Sequence, residues 1–358
     1  MLVGLPAEAG AREALAALAE AGLLTELYGE RPTGRLDPLT LRRLLAAADA
    51  RGPQGLVLAL LVQLATAVPL LAENATTPLA ERTLAEAADG TTLLALAATD
   101  EAAGSDLAGL STTVELGDGS GDLVVDGTKR WVTSALSADY ALVLARHRPG
   151  RHFTSFTWVL VPLAAPGVTV EAADTALFQG SGVGHVHFSR VTLSRDHLLG
   201  RPGRALAMFA RHISVERLAS AAWAIALCRR VLADTERRLR ARLVDEVPLN
   251  RSASVRQRLA ECAVHISALH ALWTTSSAAI ATDRDATAAA VLKAASGATV
   301  ERVLATCAQL QGADGFGRGG VQELRAEAAV FGIGGGTTET VLDTVADRLD
   351  AVLNGLAP

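Results

Sequence analysis

The 358-residue chain has few cysteines, and they are widely spaced. Cys228, Cys262 and Cys307 form no C-x-x-C pair and stand at no metal-binding interval from a histidine. Thiols in such apolar helical contexts are expected to be buried and reduced, as in the cytosol. An excess of one charge is also missing. Basic residues number 33 against 38 acidic ones, a formal net charge of −5. That balance gives no general pull toward nucleic acid or an anionic membrane. The basic cluster from Arg237 to Arg242 fits one solvated helix face. No basic segment followed by an apolar run opens the chain, so no secretory signal is read there and the cytoplasm is the expected location. One long apolar run exists, Leu56 to Ala72, but it contains Gln63, Thr66 and Pro69 and is short for a bilayer span. A buried core helix is expected instead. His185 and His187 alternate without further ligand partners at a suitable spacing, so no metal site is expected. Gly182-x-Gly184 does not open onto a helix, and neither a G-x-S-x-G turn nor a P-loop occurs.

The residues that are present, 50% of them apolar, suffice for a large core and for two or three domains. From residue 6 to about 90, Leu15, Leu18 and Leu23, then Leu41, Leu44 and Leu45, mark the buried faces of helices. Near residue 92 the chain turns to Val, Thr and aromatics with frequent turn signals. Val114–Leu116, a Gly-Asp-Gly-Ser-Gly turn and Leu123–Val125 predict a β-hairpin. Strand patterns follow at 140–145, 156–161, 168–170 and 186–191. From Ala205 helices return, over 205–241, 252–281, 285–312, 319–330 and 338–353, with a glycine-rich break at 332–336. The pattern predicts an α+β chain in three parts: a helical domain over 1–91, a β-domain over 92–203 and a helical domain over 204–358.

Seven short motifs run through this layout in order. Thr99-Asp100-Glu101-Ala102-Ala103-Gly104-Ser105-Asp106 follows an apolar strand. Gly127-Thr128-Lys129-Arg130-Trp131-Val132-Thr133-Ser134 follows the hairpin. Phe188-Ser189-Arg190-Val191-Thr192-Leu193 leads to Leu198-Leu199-Gly200. Glu216-Arg217-Leu218 lies in the first C-terminal helix, and Lys293 in a later one. Gln309-Leu310-Gln311-Gly312-Ala313-Asp314-Gly315 comes next, and Gly334-Gly335-Gly336-Thr337-Thr338-Glu339 opens the last helix. This series resembles the acyl-CoA dehydrogenase family over nearly all the chain from residue 90, and more weakly before it. The resemblance implies an N-terminal helical domain, a middle β-barrel or sandwich and a C-terminal four-helix bundle. It also implies FAD as cofactor.

By the same resemblance, Thr99 and Thr133 touch the flavin ring, Trp131 walls it, and Ser105 lies near cofactor and substrate. A flavin needs such ring-edge hydrogen bonds, an aromatic wall, and cationic or amide donors for its pyrophosphate. Asp100 and Glu101 replace the family's Glu and Pro. Arg242 takes the place of an Arg that reaches the pyrophosphate of a neighbouring subunit's flavin, but Asp245 and Glu246 stand where the family has Phe and Gly. Gln309 and Gly312 fit a second contact across a dimer, Thr337 caps the last helix facing the cofactor, and Glu339 supports the flavin or caps that helix.

The family's base, a Glu just before the Gly-Thr of the last motif, is here Gly335. A glycine takes no proton, although its backbone N–H can still donate to the thioester oxygen. A subset of the family, resembling isovaleryl-CoA dehydrogenase and carrier-protein-linked prolyl dehydrogenases, places the base on the first C-terminal helix beside an Arg. Glu216 and Arg217 fit that position, and the bland alternative is an ordinary helical ion pair. Ser105, Arg217 and Gly334 are the candidate substrate contacts. Three functions stay open. The first is FAD-dependent α,β-dehydrogenation of an acyl-CoA or acyl-carrier-protein thioester, in a homodimer or homotetramer that passes electrons to a separate acceptor. The second is a non-catalytic partner subunit of a heteromeric enzyme, and the third a flavin-dependent oxygenase on the same scaffold.

Overall fold

The structure is a computed structural model that describes residues 9–51, 53–100, 106–117 and 121–355. The chain divides into two units, Met1–Leu44 with Pro53–Glu216 and Leu45–Gly52 with Arg217–Pro358.

The first unit opens with helices α1 (Ala11–Glu20), α2 (Leu23–Tyr28) and α3 (Pro38–Asp49), the last of which runs on into the second unit. Helix α1 buries Ala11, Ala14, Leu15 and Leu18, the stripe that a 3.6-residue period puts on one face. The long apolar run forms α4 (Gln54–Val62), a π turn (Gln63–Ala67) and α5 (Val68–Asn74). It is long and apolar enough to cross a membrane, but nearly all of it is packed inside the protein, as expected for a core helix. Pro69 has no N–H to give to the turn before it, and the wider π turn falls there. Helix α6 (Pro78–Ala88) starts with Pro at its first position and with Thr77 accepting from the Ala80 N–H at 3.3 Å.

Among the described residues, eight strands follow: β1 (Leu94–Ala97), β2 (Thr113–Leu116), β3 (Leu123–Val132), β4 (Tyr140–Arg146), β5 (Phe156–Pro162), β6 (Val168–Ala172), β7 (Gly184–Leu193) and β8 (Leu198–Leu199). They form one sheet in the order β6-β7-β3-β2-β4-β5-β8, with β1 added parallel to β4. The predicted hairpin is β2–β3, with Val114 opposite Val125. Strand β4 is buried at Ala141–Ala145 and reads as a continuous apolar run, because both of its faces are covered. Val125, Val143, Val159, Val161, Val186 and Phe188 centre the core of this sheet.

Helix α7 (Ala205–Ala241) begins in the first unit and continues into the second, which also contains β9 (Leu243–Val244), β10 (Val247–Pro248), α8 (Ala253–Asp283) and α9 (Ala286–Gln311). It ends with α10 (Val321–Glu327), α11 (Val330–Ile333), α12 (Thr338–Ala346) and α13 (Leu349–Asn354). The three long helices lie within two residues of their predicted bounds. Arg284, at φ +59°, stops α8, and the Asp285 carboxylate starts α9 by accepting from the Thr287 and Ala288 N–H groups. The two helices predicted over 319–330 and 338–353 are each divided. Arg348, at φ −119° and ψ 21°, leaves the helical region and separates α12 from α13. The 237–242 cluster is solvated: Arg237 and Arg238 pair with Asp234, and Arg240 pairs with Glu236. Cys228, Cys262 and Cys307 are buried and free. A hydrogen bond from Cys307 draws the Cys262 thiol below its ordinary range, while burial pushes Cys228 up.

Candidate functional site

In the first unit Trp131 lies on β3, Thr133 just past its end and Thr99 on a segment beside it. The Arg130 N–H donates to the Thr99 carbonyl at 2.9 Å, and an antiparallel bridge joins Asp100 to Lys129. Thr99 is thereby laid against the strand that carries Trp131. Thr99 and Thr133 are half-buried, whereas the Trp131 side chain is 57% exposed. An exposed indole on a strand is costly unless something covers it. Trp131 is therefore no core aromatic.

The segment bearing Thr99 is anchored by an ion pair that no motif announced. Lys129 is wholly buried and its ammonium is bound to the Asp100 carboxylate and, at 3.1 Å, to the Ala98 carbonyl. Asp100 also accepts from the N–H groups of Ser111 at 2.6 Å and Thr112 at 2.7 Å. Burial works against the Asp100 charge, but the Lys129 cation and these donors hold its carboxyl below the usual range. Burial brings the Lys129 ammonium down to about 8, with Asp100 opposing that fall. Ser105, the remaining candidate on this segment, lies outside the described residues.

Glu216 lies on α7, half-buried, and the hydroxyl of Thr66 donates to its Oε2 at 3.1 Å. Thr66 is fully buried within the π turn. The same turn begins with Gln63, which accepts from the Leu94 N–H at 2.8 Å and donates to the Thr92 carbonyl at 3.3 Å. These two bonds pin the π turn to β1, and the turn in turn presents Thr66 to the carboxylate.

In the second unit, the buried Arg217 donates from Nε to the Gly335 carbonyl at 2.9 Å. Gly335 and Gly336 have φ of +72° and +102°, a region that strains L residues. A Cβ on Gly336 would also come within 3.3 Å of the Arg217 guanidinium. The segment is tied from below by buried Lys293, whose ammonium donates to the Phe331 carbonyl, while the Phe331 ring packs 4.6 Å from that of Trp223. Thr337 caps α12, accepting from the Thr340 N–H at 3.4 Å; Gly334 is half-buried and Glu339 exposed. Arg242 is exposed at the end of α7 and leads into the β9–β10 hairpin. Asp245 and Glu246 form the turn of that hairpin, at φ +49° and +63°. Gln309 is exposed and accepts from Arg258, and Gly312 ends α9 at φ +62°.

Residues 95–191 match the sequence profile of the acyl-CoA dehydrogenase middle domain, and residues 203–350 match that of the acyl-CoA dehydrogenase C-terminal domain. The chain belongs to the acyl-CoA dehydrogenase family. This is a family of FAD-dependent oxidoreductases. Among relatives, the acyl-CoA dehydrogenase AFT10-1 of Alternaria alternata is 27% identical over 306 residues, covering 80% of this chain and 69% of the relative. The cyclohex-1-ene-1-carbonyl-CoA dehydrogenase of Geobacter metallireducens is 27% identical, over 71% of this chain and 67% of its own. Among solved structures, an FAD complex of PigA superposes with a TM-score of 0.86 at 19% identity, covering 95% of this chain and 89% of that one. A glutaryl-CoA dehydrogenase of Mycobacterium smegmatis superposes with a TM-score of 0.85 at 21% identity, over 96% and 87% of the two chains.

Family motifs named Thr99, Trp131 and Glu216 but not the residues that hold them. In the sequence Thr66 is only a polar interruption of an apolar run, and a lone Thr there carries no further signal. The Asp100–Lys129 pair was visible as two motif residues, and only the strand pairing joins them.

Proposed function

We propose that this protein is an FAD-dependent dehydrogenase that introduces an α,β double bond into an acyl thioester of coenzyme A or a carrier protein, with Glu216 as the base. The observation that carries the reading is a contrast between two positions. Residue 335, where most members hold the base, is a glycine with left-handed φ and its carbonyl bound by Arg217. Glu216, at the alternative position, is a half-buried carboxylate held by a hydroxyl donor.

The α-proton of a thioester is weakly acidic, so its removal needs a desolvated carboxylate and donors to the carbonyl oxygen. Glu216 takes that proton, and the Thr66 hydrogen bond fixes the carboxylate's orientation. The Gly335 N–H donates to the thioester oxygen, and Arg217 holds the Gly335 peptide in place. Ser105 and Gly334 line the acyl thioester. FAD, when bound, supplies the acceptor for the β-hydride. The residues present fit that group: an exposed indole at Trp131, flanking hydroxyls at Thr99 and Thr133, and an exposed guanidinium at Arg242. Thr337 and Glu339 serve the same cofactor, and Arg242, Gln309 and Gly312 reach it across a homodimer or homotetramer. Reducing equivalents leave to a separate electron-transfer acceptor.

The acidic turn at Asp245 and Glu246 favours a second reading, a partner chain that completes another subunit's enzyme. Two acids beside a diphosphate are unfavourable. One experiment separates the two. FAD is added in excess, the protein is desalted, and an acyl-CoA panel is mixed in anaerobically. The dehydrogenase retains a visible flavin spectrum that an acyl-CoA bleaches. A colourless protein that fails to keep added FAD contradicts it.

A further inference from the structure

Strands β3 and β7 pair Lys129 with Val186 and Val132 with Gly184. Between those pairs, Arg130 and Trp131 together face the single residue His185. Two residues against one make a β-bulge, a device that re-aims a side chain at a strand's functional end. The strain of the bulge shows at Trp131, whose φ of +55° is unusual for a bulky L residue. The bulge also takes the Trp131 N–H off the strand ladder. That N–H donates instead to Nδ1 of His185, at 3.2 Å. The imidazole stands edge-on to the indole, with ring centroids 5.4 Å apart and planes at 85°. His185 is 7% exposed and its partner's indole 57%.

We infer that His185 is a positioning residue: it holds the bulge open and so keeps the Trp131 indole turned outward for the flavin. The functional weight of this inference rests on Trp131 being the flavin wall, as proposed above. Without an acceptor at this point, a partly buried backbone N–H is left unpaired. The strand recovers that bond by closing the bulge, and a one-residue shift of register sends a side chain to the opposite face of the sheet. An apolar residue at 185 cannot accept. Histidine does so through Nδ1, which fixes the neutral tautomer with its proton on Nε2.

The test uses full-length protein labelled with 5-fluorotryptophan. Its four tryptophans give four fluorine signals, and Trp131→Phe identifies the one of interest. Trp158, Trp223 and Trp273 are buried, so their signals serve as internal references for the fold. His185→Phe keeps a ring and removes the acceptor, whereas His185→Asn keeps an acceptor near the Nδ1 position and removes the ring. The Phe variant is expected to shift the Trp131 signal and weaken FAD binding by about three- to tenfold, with a changed flavin band shape. The Asn variant is expected to restore both. Should the Phe variant not fold, His185→Leu makes the same comparison. A Trp131 signal that superposes on wild type in the Phe or Leu variant overturns the inference. Trp131→Phe with an unchanged FAD titration removes Trp131 from the flavin site, and with it the functional role of His185, whatever the fluorine signal shows.

Discussion

Lys129 is a buried cation, and Asp100 is the reason the fold tolerates it. Neutralising one partner leaves the other charge uncompensated in the interior. Asp100→Asn is therefore expected to cost about 3–5 kcal/mol, read as a lower denaturation midpoint at neutral pH. The sign with pH follows from the directions of the shifts. The Asp100 carboxyl is held below its unfolded value, so its contribution is present above about pH 4 and is lost as pH falls through the folded value. The gap between wild type and Asp100→Asn should then close in acid, where both side chains are neutral. Lys129, brought down to about 8 by burial, releases its proton earlier in the folded than in the unfolded chain. Its share of stability thus rises with pH from there to about 10.4. A gap that stays constant into acid would remove the pair from this role. The sequence displayed both residues but not their pairing. Asp100 read as a departure from a family motif, and only the bridge to β3 turns it into an anchor.

At the scale of elements, the π turn and the β9–β10 hairpin carry the less legible features. The π turn presents Thr66 to Glu216, and a hydrogen bond donated to a carboxylate stabilises its charged form. Thr66→Val removes the donor with little change in shape. With the carboxylate no longer held in one orientation, kcat is expected to fall about tenfold. An unchanged kcat would separate Thr66 from the base. The hairpin holds Glu246 at φ +63° in a turn that favours Asn-Gly or Asp-Gly. Glu246→Gly is expected to stabilise by on the order of 1 kcal/mol, seen as a raised unfolding temperature. Long helices were legible because 26 to 37 residues rich in Ala, Leu and Arg, with a single Gly and no Pro among them, outweigh local noise. Strands of two residues, such as β9 and β10, have no period to read, and the break at Arg348 is a change of backbone angles at one residue that no Gly or Pro marks.

At the scale of the whole molecule, the order of helix, sheet and helix was readable from composition alone, because the shift to Val and Thr near residue 92 marks the change of period from 3.6 to 2. The candidate site was readable only in part. Trp131, Thr133 and Glu216 came from motif order, but the bulge that exposes Trp131 arises from strand register, which no local pattern encodes. The missing Glu at 335 was legible as a letter. Its physical sense, a left-handed glycine gripped by Arg217, was not. The central claim is that Glu216 removes the α-proton. Its most direct test is anaerobic mixing of the FAD-loaded wild type and Glu216→Gln with a straight- and branched-chain acyl-CoA panel, following bleaching of the flavin band. The prediction is that the Gln variant retains FAD and bleaches about 10²–10⁴-fold more slowly than wild type. Bleaching of the Gln variant at the wild-type rate would contradict the claim and place the base on another residue.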